Sequence, residues 1–161
     1  MTERTLALIT SPDEEWCRAS YDSMFALANR LHGKQTDRAG VSYIVHLHYV
    51  ATRQPTYAGR VIGLLHDSIE DNCITALQLR SIGVPESVIQ RIEALAKTSD
   101  EQYEDYVARV ITDQTMRLVK KADLEHNMTL TRLKVIAARD LERIQKYHRA
   151  YALIQEYDRV R

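Results

Sequence analysis

Between Ala58 and Asp71 apolar side chains fall at Val61, Ile62, Leu64, Leu65 and Ile69. That spacing wraps apolar surface around most of a helix and predicts an element packed on several sides. Upstream, Ser11-Pro12-Asp13-Glu14 supplies an N-cap, a proline at the first helical position and a capping-box glutamate, so a helix is expected from there to about His32 or Gly33. Residues 34–42 read as a polar loop containing Gly40. Tyr43 to Arg53 reads as a short helix that stops near Pro55, and the 58–71 helix follows it. Thr75 caps a short helix closed by Gly83, and Pro85-Glu86 opens another reaching about Ala96. Helices over Asp100 to Ile111, Thr115 to about Met128, and Arg139 to the C-terminus complete the set. Alternation with period two is nowhere sustained, so the expected fold is an all-α helical bundle, with residues 1–161 forming one domain.

One stretch conflicts with this apolar pattern. Leu64 to Asp71, LLHDSIED, places a histidine and three carboxylates on the predicted helix, with His66 and Glu70 on one face and Asp67 and Asp71 on the next. Burying carboxylates costs several kcal/mol unless they are paired or bound to a cation. The segment therefore calls for a metal or a polar network.

Charge and composition narrow the partners. Lys plus Arg and Asp plus Glu stand at 22 each, so no global field favours nucleic acid or an anionic membrane, and an anionic ligand must be drawn by a local cluster. Cys17 and Cys73 are too few for a disulfide framework and lack metal-site spacing. The apolar run in MTERTLALITSPDEEW is too short for a signal or a membrane span, and no later segment reaches that length. A cytoplasmic protein without a membrane partner is expected.

Candidate ligands are His46 in YIVHLHYVA, His66 and Asp67 in LLHDSIED, and Asp123 in VKKADLEHNM. Two imidazoles and two carboxylates suit Mn²⁺, Fe²⁺ or Zn²⁺. His32, His48 and His148, taken singly, read as hydrogen-bonded core or surface residues. The ordered set Ala28, Leu31, His32, Gln35, Arg38, Ala39, Gly40, Tyr43, Ile44, His46, followed by LLHDSIED and then VKKADLEHNM, resembles the HD-domain hydrolases of the Rel/SpoT type. In size and in lacking a synthetase region the chain is similar to the stand-alone small alarmone hydrolases. The resemblance covers most of the chain from about Ala28. It implies an all-helical HD domain with a metal site at its centre and one Mn²⁺ on His46, His66, Asp67 and Asp123. The implied activity is hydrolysis of the 3′-pyrophosphate of (p)ppGpp-like alarmones to GDP or GTP and pyrophosphate.

The residue chemistry is compatible with that activity. A divalent ion acidifies water and polarises a phosphoryl oxygen, and Glu70 and Asp71 can orient or deprotonate the water without being ligands. Arg38, Lys120, Lys121 and Asn127 are candidates for phosphate or sugar contacts. The resemblance favours Arg38 and Asn127 and adds Arg143 and Tyr147 as nucleotide contacts. Lys97-Thr98 resembles the family's Thr-Lys step, with Tyr103 and Tyr106 following it. Lys34, Arg132 and Lys134 read as a solvated basic rim. The chain departs from the family at Asp37, where a second cation is usual, at Leu47 after His46, and at Leu124-Glu125. Asp37 keeps a second substrate in view, NADPH 2′-phosphate or an adenosine relative such as (p)ppApp. A third reading is a nucleotide-binding module that does not turn over. Apolar stripes on the terminal helices suit a homo-oligomer as well as a monomer core.

Overall fold

The structure, a computed structural model, describes residues 11–160. The apolar run at the N-terminus and the last residue of the chain lie outside the described residues. Among the described residues eight α-helices follow one another: α1 (Pro12–His32), α2 (Ile44–Thr52), α3 (Tyr57–Leu65), α4 (Ala76–Ser81), α5 (Glu86–Leu95), α6 (Tyr103–Val110), α7 (Gln114–Asn127) and α8 (Ala138–Arg159). A single 3-10 turn, Leu130–Arg132, links α7 to α8. The only extended pairing among the described residues is one isolated bridge between Thr36 and Ser42, so the protein is an all-α bundle. No described helix is long and apolar enough to cross a membrane.

Helix α3 is the centre of the bundle. It packs on α1 and α2 and also reaches α5 and α7, which is why Val61, Ile62, Leu64 and Leu65 are all fully buried. Burying side chains of this size stabilises the fold by about 1.5–3 kcal/mol each, enough to hold polar groups at the end of the same helix. Gly63 fixes how closely α2 and α3 approach. A Cβ built there would lie 2.9 Å from Ala51 Cα and 3.0 Å from Ala51 N, so the backbones touch without a side chain between them.

Two expectations change in three dimensions. Helix α3 stops at Leu65 instead of running to Asp71, and residues 66–72 form successive turns. Ser68 N donates to Leu65 O at 2.9 Å, Asp71 N to Asp67 O at 2.8 Å and Cys73 N to Ser68 O at 2.9 Å. Asn72, at φ 56°, closes the segment in the left-handed region that asparagine tolerates. The helical faces expected for His66/Glu70 and Asp67/Asp71 therefore do not exist as such. Glu14 is not a capping-box partner for its own helix. Its backbone N–H donates to Ser11 Oγ at 3.2 Å, while its carboxylate reaches α3, accepting from Tyr57 N at 2.7 Å and Ala58 N at 2.8 Å. A carboxylate on two orphan amides at a helix N-terminus is charge-assisted and aligned with the helix dipole. Glu14→Gln should therefore lower stability by about 1–2 kcal/mol, read by thermal unfolding; an unchanged melting temperature would remove this cap from the account.

Smaller shifts follow from capping. Asp113 caps α7 by accepting from Met116 N at 2.9 Å, so that helix starts at Gln114, one residue before Thr115, and α6 begins at Tyr103 instead of Asp100. The other boundaries agree to within a residue or two.

Candidate metal centre

The ends of three helices converge. His46 lies in the first turn of α2, His66 caps the C-terminus of α3 with Asp67 directly after it, and Asp123 lies on α7. His46 Nε2 is 3.3 Å from Asp123 Oδ1 and 3.8 Å from Asp67 Oδ2. His66 Nε2 is 3.1 Å from Asp67 Oδ2 and 3.8 Å from Asp123 Oδ1. One potential ligand atom each of His46, His66 and Asp67 falls within 4.8 Å of the others. Both Nε2 atoms are buried and lack a hydrogen-bond partner.

The proton on His66 can be placed. Its Nδ1 lies 2.8 Å from Gly63 O, and a carbonyl only accepts, so Nδ1 carries the hydrogen. A bound cation would displace any hydrogen from the other nitrogen and meet the bare Nε2 of a neutral ring. Two partnerless imidazole nitrogens facing two carboxylate oxygens fit a divalent cation that takes mixed nitrogen and oxygen ligands.

The surrounding groups hold these ligands in charge and in place. Burial alone would raise the Asp123 carboxyl, but the Lys120 ammonium 2.8 Å away and the two histidines outweigh it and hold it well below the usual range. Asp67 is likewise lifted by burial and lowered more strongly by His66, ending at about 2. For His66 burial acts downward, and the Asp67 and Asp123 charges raise it well above an ordinary histidine. Tyr43 donates to Asp67 Oδ2 at 2.6 Å and Asn127 Nδ2 to Asp123 Oδ1 at 2.6 Å. Outer hydrogen bonds of this kind fix the orientation of ligating carboxylates.

Above the cluster opens a cleft of about 550 Å³. Glu70 and Asp71 line it beside His66 and Asp67. Glu70 Oε2 accepts from Lys97 N at 3.0 Å, which leaves the other oxygen outside that bond. Asp71 Oδ2 is 3.5 Å from Gln35 Nε2, and burial first, then the Asp67 charge, raises its carboxyl. Behind the turn sits His32, fully buried, with Nε2 3.1 Å from Ser68 Oγ and Nδ1 2.5 Å from Gln35 Oε1, tying the turn to α1.

The opposite wall is cationic and aromatic, though several of its cations are already engaged. Arg38 lines the cleft, but its guanidinium is 2.8 Å from Asp140 Oδ1, so it bridges the 34–42 loop to α8. Arg132, expected on a solvated rim, instead pairs with Asp37, donates to His126 O at 3.0 Å and lines the cleft. Asp37 has a structural use: its carboxylate holds Arg132 and accepts from Ala39 N and Val41 N at 2.8 and 2.9 Å. Of the paired lysines, Lys120 faces the cleft while Lys121 points away to Asp158, 3.7 Å distant. Arg143 and Tyr147 line the cleft and bond each other at 3.0 Å. Tyr103 and Tyr106 also line it; the Tyr103 hydroxyl is buried and unpartnered, and Tyr106, buried in the core, donates its hydroxyl to Leu95 O at 2.7 Å.

Sequence reasoning did not single out Tyr43 as a support for Asp67, nor Asp140, Lys146 or His126. Lys146 Nζ stands 4.5 Å from the Tyr103 ring centroid and 5.4 Å from that of Tyr147. Its place in RIQKYHRAY carried a usable signal, one residue before Tyr147. Tyr43, Asp140 and His126 are brought in only by long-range packing. Compared with known proteins, the chain matches no family model and no curated protein.

Proposed function

We propose that the protein is a metal-dependent phosphohydrolase that removes the 3′-pyrophosphate of (p)ppGpp-like alarmones, with His46, His66, Asp67 and Asp123 holding one divalent ion, Mn²⁺ by the resemblance. The observation that carries this reading is the pair of buried, partnerless Nε2 atoms facing Asp67 and Asp123 at the floor of a cleft whose far wall is basic and aromatic. A bound divalent cation would supply Lewis acidity, drawing charge from a phosphoryl oxygen and acidifying a water. Glu70 orients that water and takes its proton, and Asp71, made more basic by burial and by Asp67, backs it. The water oxygen bonds to phosphorus, the bond from phosphorus to the 3′-oxygen breaks, and the leaving 3′-oxygen takes up the proton that Glu70 removed from the water. Arg143, Lys146 and Tyr147 line the nucleotide side of the cleft, while Asn127 and Lys120 keep Asp123 in place.

One observation favours a second substrate. Arg38 and Arg132 are neutralised by Asp140 and Asp37, which leaves fewer cations for a doubly pyrophosphorylated nucleotide and suits NADPH 2′-phosphate. Chelator-stripped protein should release pyrophosphate from ppGpp, pppGpp or ppApp only after Mn²⁺ is restored. Phosphate from NADPH alone would move the assignment to the second substrate. Tight nucleotide binding without product under any metal would leave a binding module.

A further inference from the structure

His46 has a partner that the hydrolytic reading does not use. Its Nδ1 lies 2.8 Å from Nδ1 of His126, a buried residue on α7 whose ring packs 4.8 Å from the ring of His46 and 4.4 Å from that of Tyr49. Two ring nitrogens at this distance share one hydrogen, so one donates and the other accepts. If His126 donated to a neutral His46, the hydrogen of His46 would sit on Nε2, pointing into the ligand cluster where a cation needs a lone pair. If His46 donates, its Nε2 is bare.

We infer that His126 is a positioning residue, which accepts a hydrogen bond from Nδ1 of His46 and so fixes the tautomer whose bare Nε2 faces Asp67 and Asp123. Two observations support this direction. His46 Nε2 is buried without a hydrogen-bond partner, and a buried N–H left unpaired costs more than a lone pair left unused. His66 is held in the matching tautomer by the Gly63 carbonyl, so the two rings present like atoms to one point. The backbone of His126 is also pinned, since its carbonyl accepts from Arg132. A carbonyl therefore sets one imidazole and a second imidazole sets the other.

The inference rests on His46 serving as a ligand, and the test separates the two claims. In metal-free protein, ¹⁵N shifts of the His46 ring should show hydrogen on Nδ1. His126→Phe keeps a ring against Tyr49 but offers no acceptor. It should shift His46 toward the other tautomer and weaken Mn²⁺ binding, measured by titration, about 10–100-fold. His126→Asn places its amide oxygen where Nδ1 stood and should restore both readouts. Hydrogen on Nε2 of His46 in the wild type would overturn the inference, as would equal Mn²⁺ affinity in wild type and His126→Phe. A tautomer that follows residue 126 in a protein that binds no Mn²⁺ would uphold the hydrogen-bond assignment and sink the metal reading alone.

Discussion

Asp67→Asn should lower the metal-dependent release of pyrophosphate by about 10³-fold or more, equivalent to roughly 4 kcal/mol of transition-state stabilisation. Asparagine matches aspartate in size and can still accept from Tyr43, now 2.6 Å from Oδ2, so the fold should persist. What disappears is the negative charge that faces both imidazoles, 3.1 Å from His66 Nε2 and 3.8 Å from His46 Nε2. Removing one anionic member leaves the cation less compensated, and the Mn²⁺ bound per chain should fall with the rate. Glu70→Gln supplies the contrast. Glu70 lines the cleft without joining the ligand cluster, so this variant should retain its metal while turnover drops roughly 10²–10⁴-fold, the usual contribution of a positioned base. Metal content by elemental analysis and product release by chromatography read the two effects separately. Full activity in both variants would end the hydrolase reading.

The second large effect is expected at a residue without a side chain. Gly63→Ala puts a methyl group 2.9 Å from the Ala51 Cα and 3.3 Å from the Val50 carbonyl carbon, contacts with backbone that cannot turn aside. Overpacking of this kind costs about 1–3 kcal/mol, which for a domain of this size lowers Tm by several degrees. Its consequence for the site follows from connectivity. His46 rides on α2 and His66 on the end of α3, so prying the helices apart separates the two Nε2 atoms. Mn²⁺ affinity should fall with Tm, and the loss should persist at temperatures where the variant is fully folded. Unchanged Tm and unchanged affinity would show that the helices can slide without disturbing the ligands.

These two residues illustrate what was legible beforehand. Asp67 stood out because a carboxylate inside an apolar run is costly unless something compensates it, and that argument needs no coordinates. The four ligand candidates were visible for the same reason, reinforced by the order of the motifs around them, and the structure brings all four together. The role of Gly63 was not legible, because it depends on the Ala51 backbone that stands opposite. Arg38 and Arg132 were legible as cations but not as partners of Asp140 and Asp37, pairs separated by about a hundred positions in the chain. The turn over 66–72 was read as helix because its apolar periodicity continues through Ile69. Asn72 and the hydrogen bonds of Ser68 and Cys73 overrode it.

By itself the sequence determined that the chain is helical, where its helices lie to within a few residues, and which side chains are candidates for holding a metal. Those properties depend on near neighbours: the 3.6-residue period, the capping residues, and the cost of charge in apolar surroundings. Only the tertiary structure decided where α3 ends, that Glu14 caps it from another helix, that Tyr43, Asn127 and Lys120 hold the carboxylates, and that His126 meets His46 across 80 positions. The physical reason is that hydrogen bonds and ion pairs act over about 3–4 Å in space and take no account of separation along the chain.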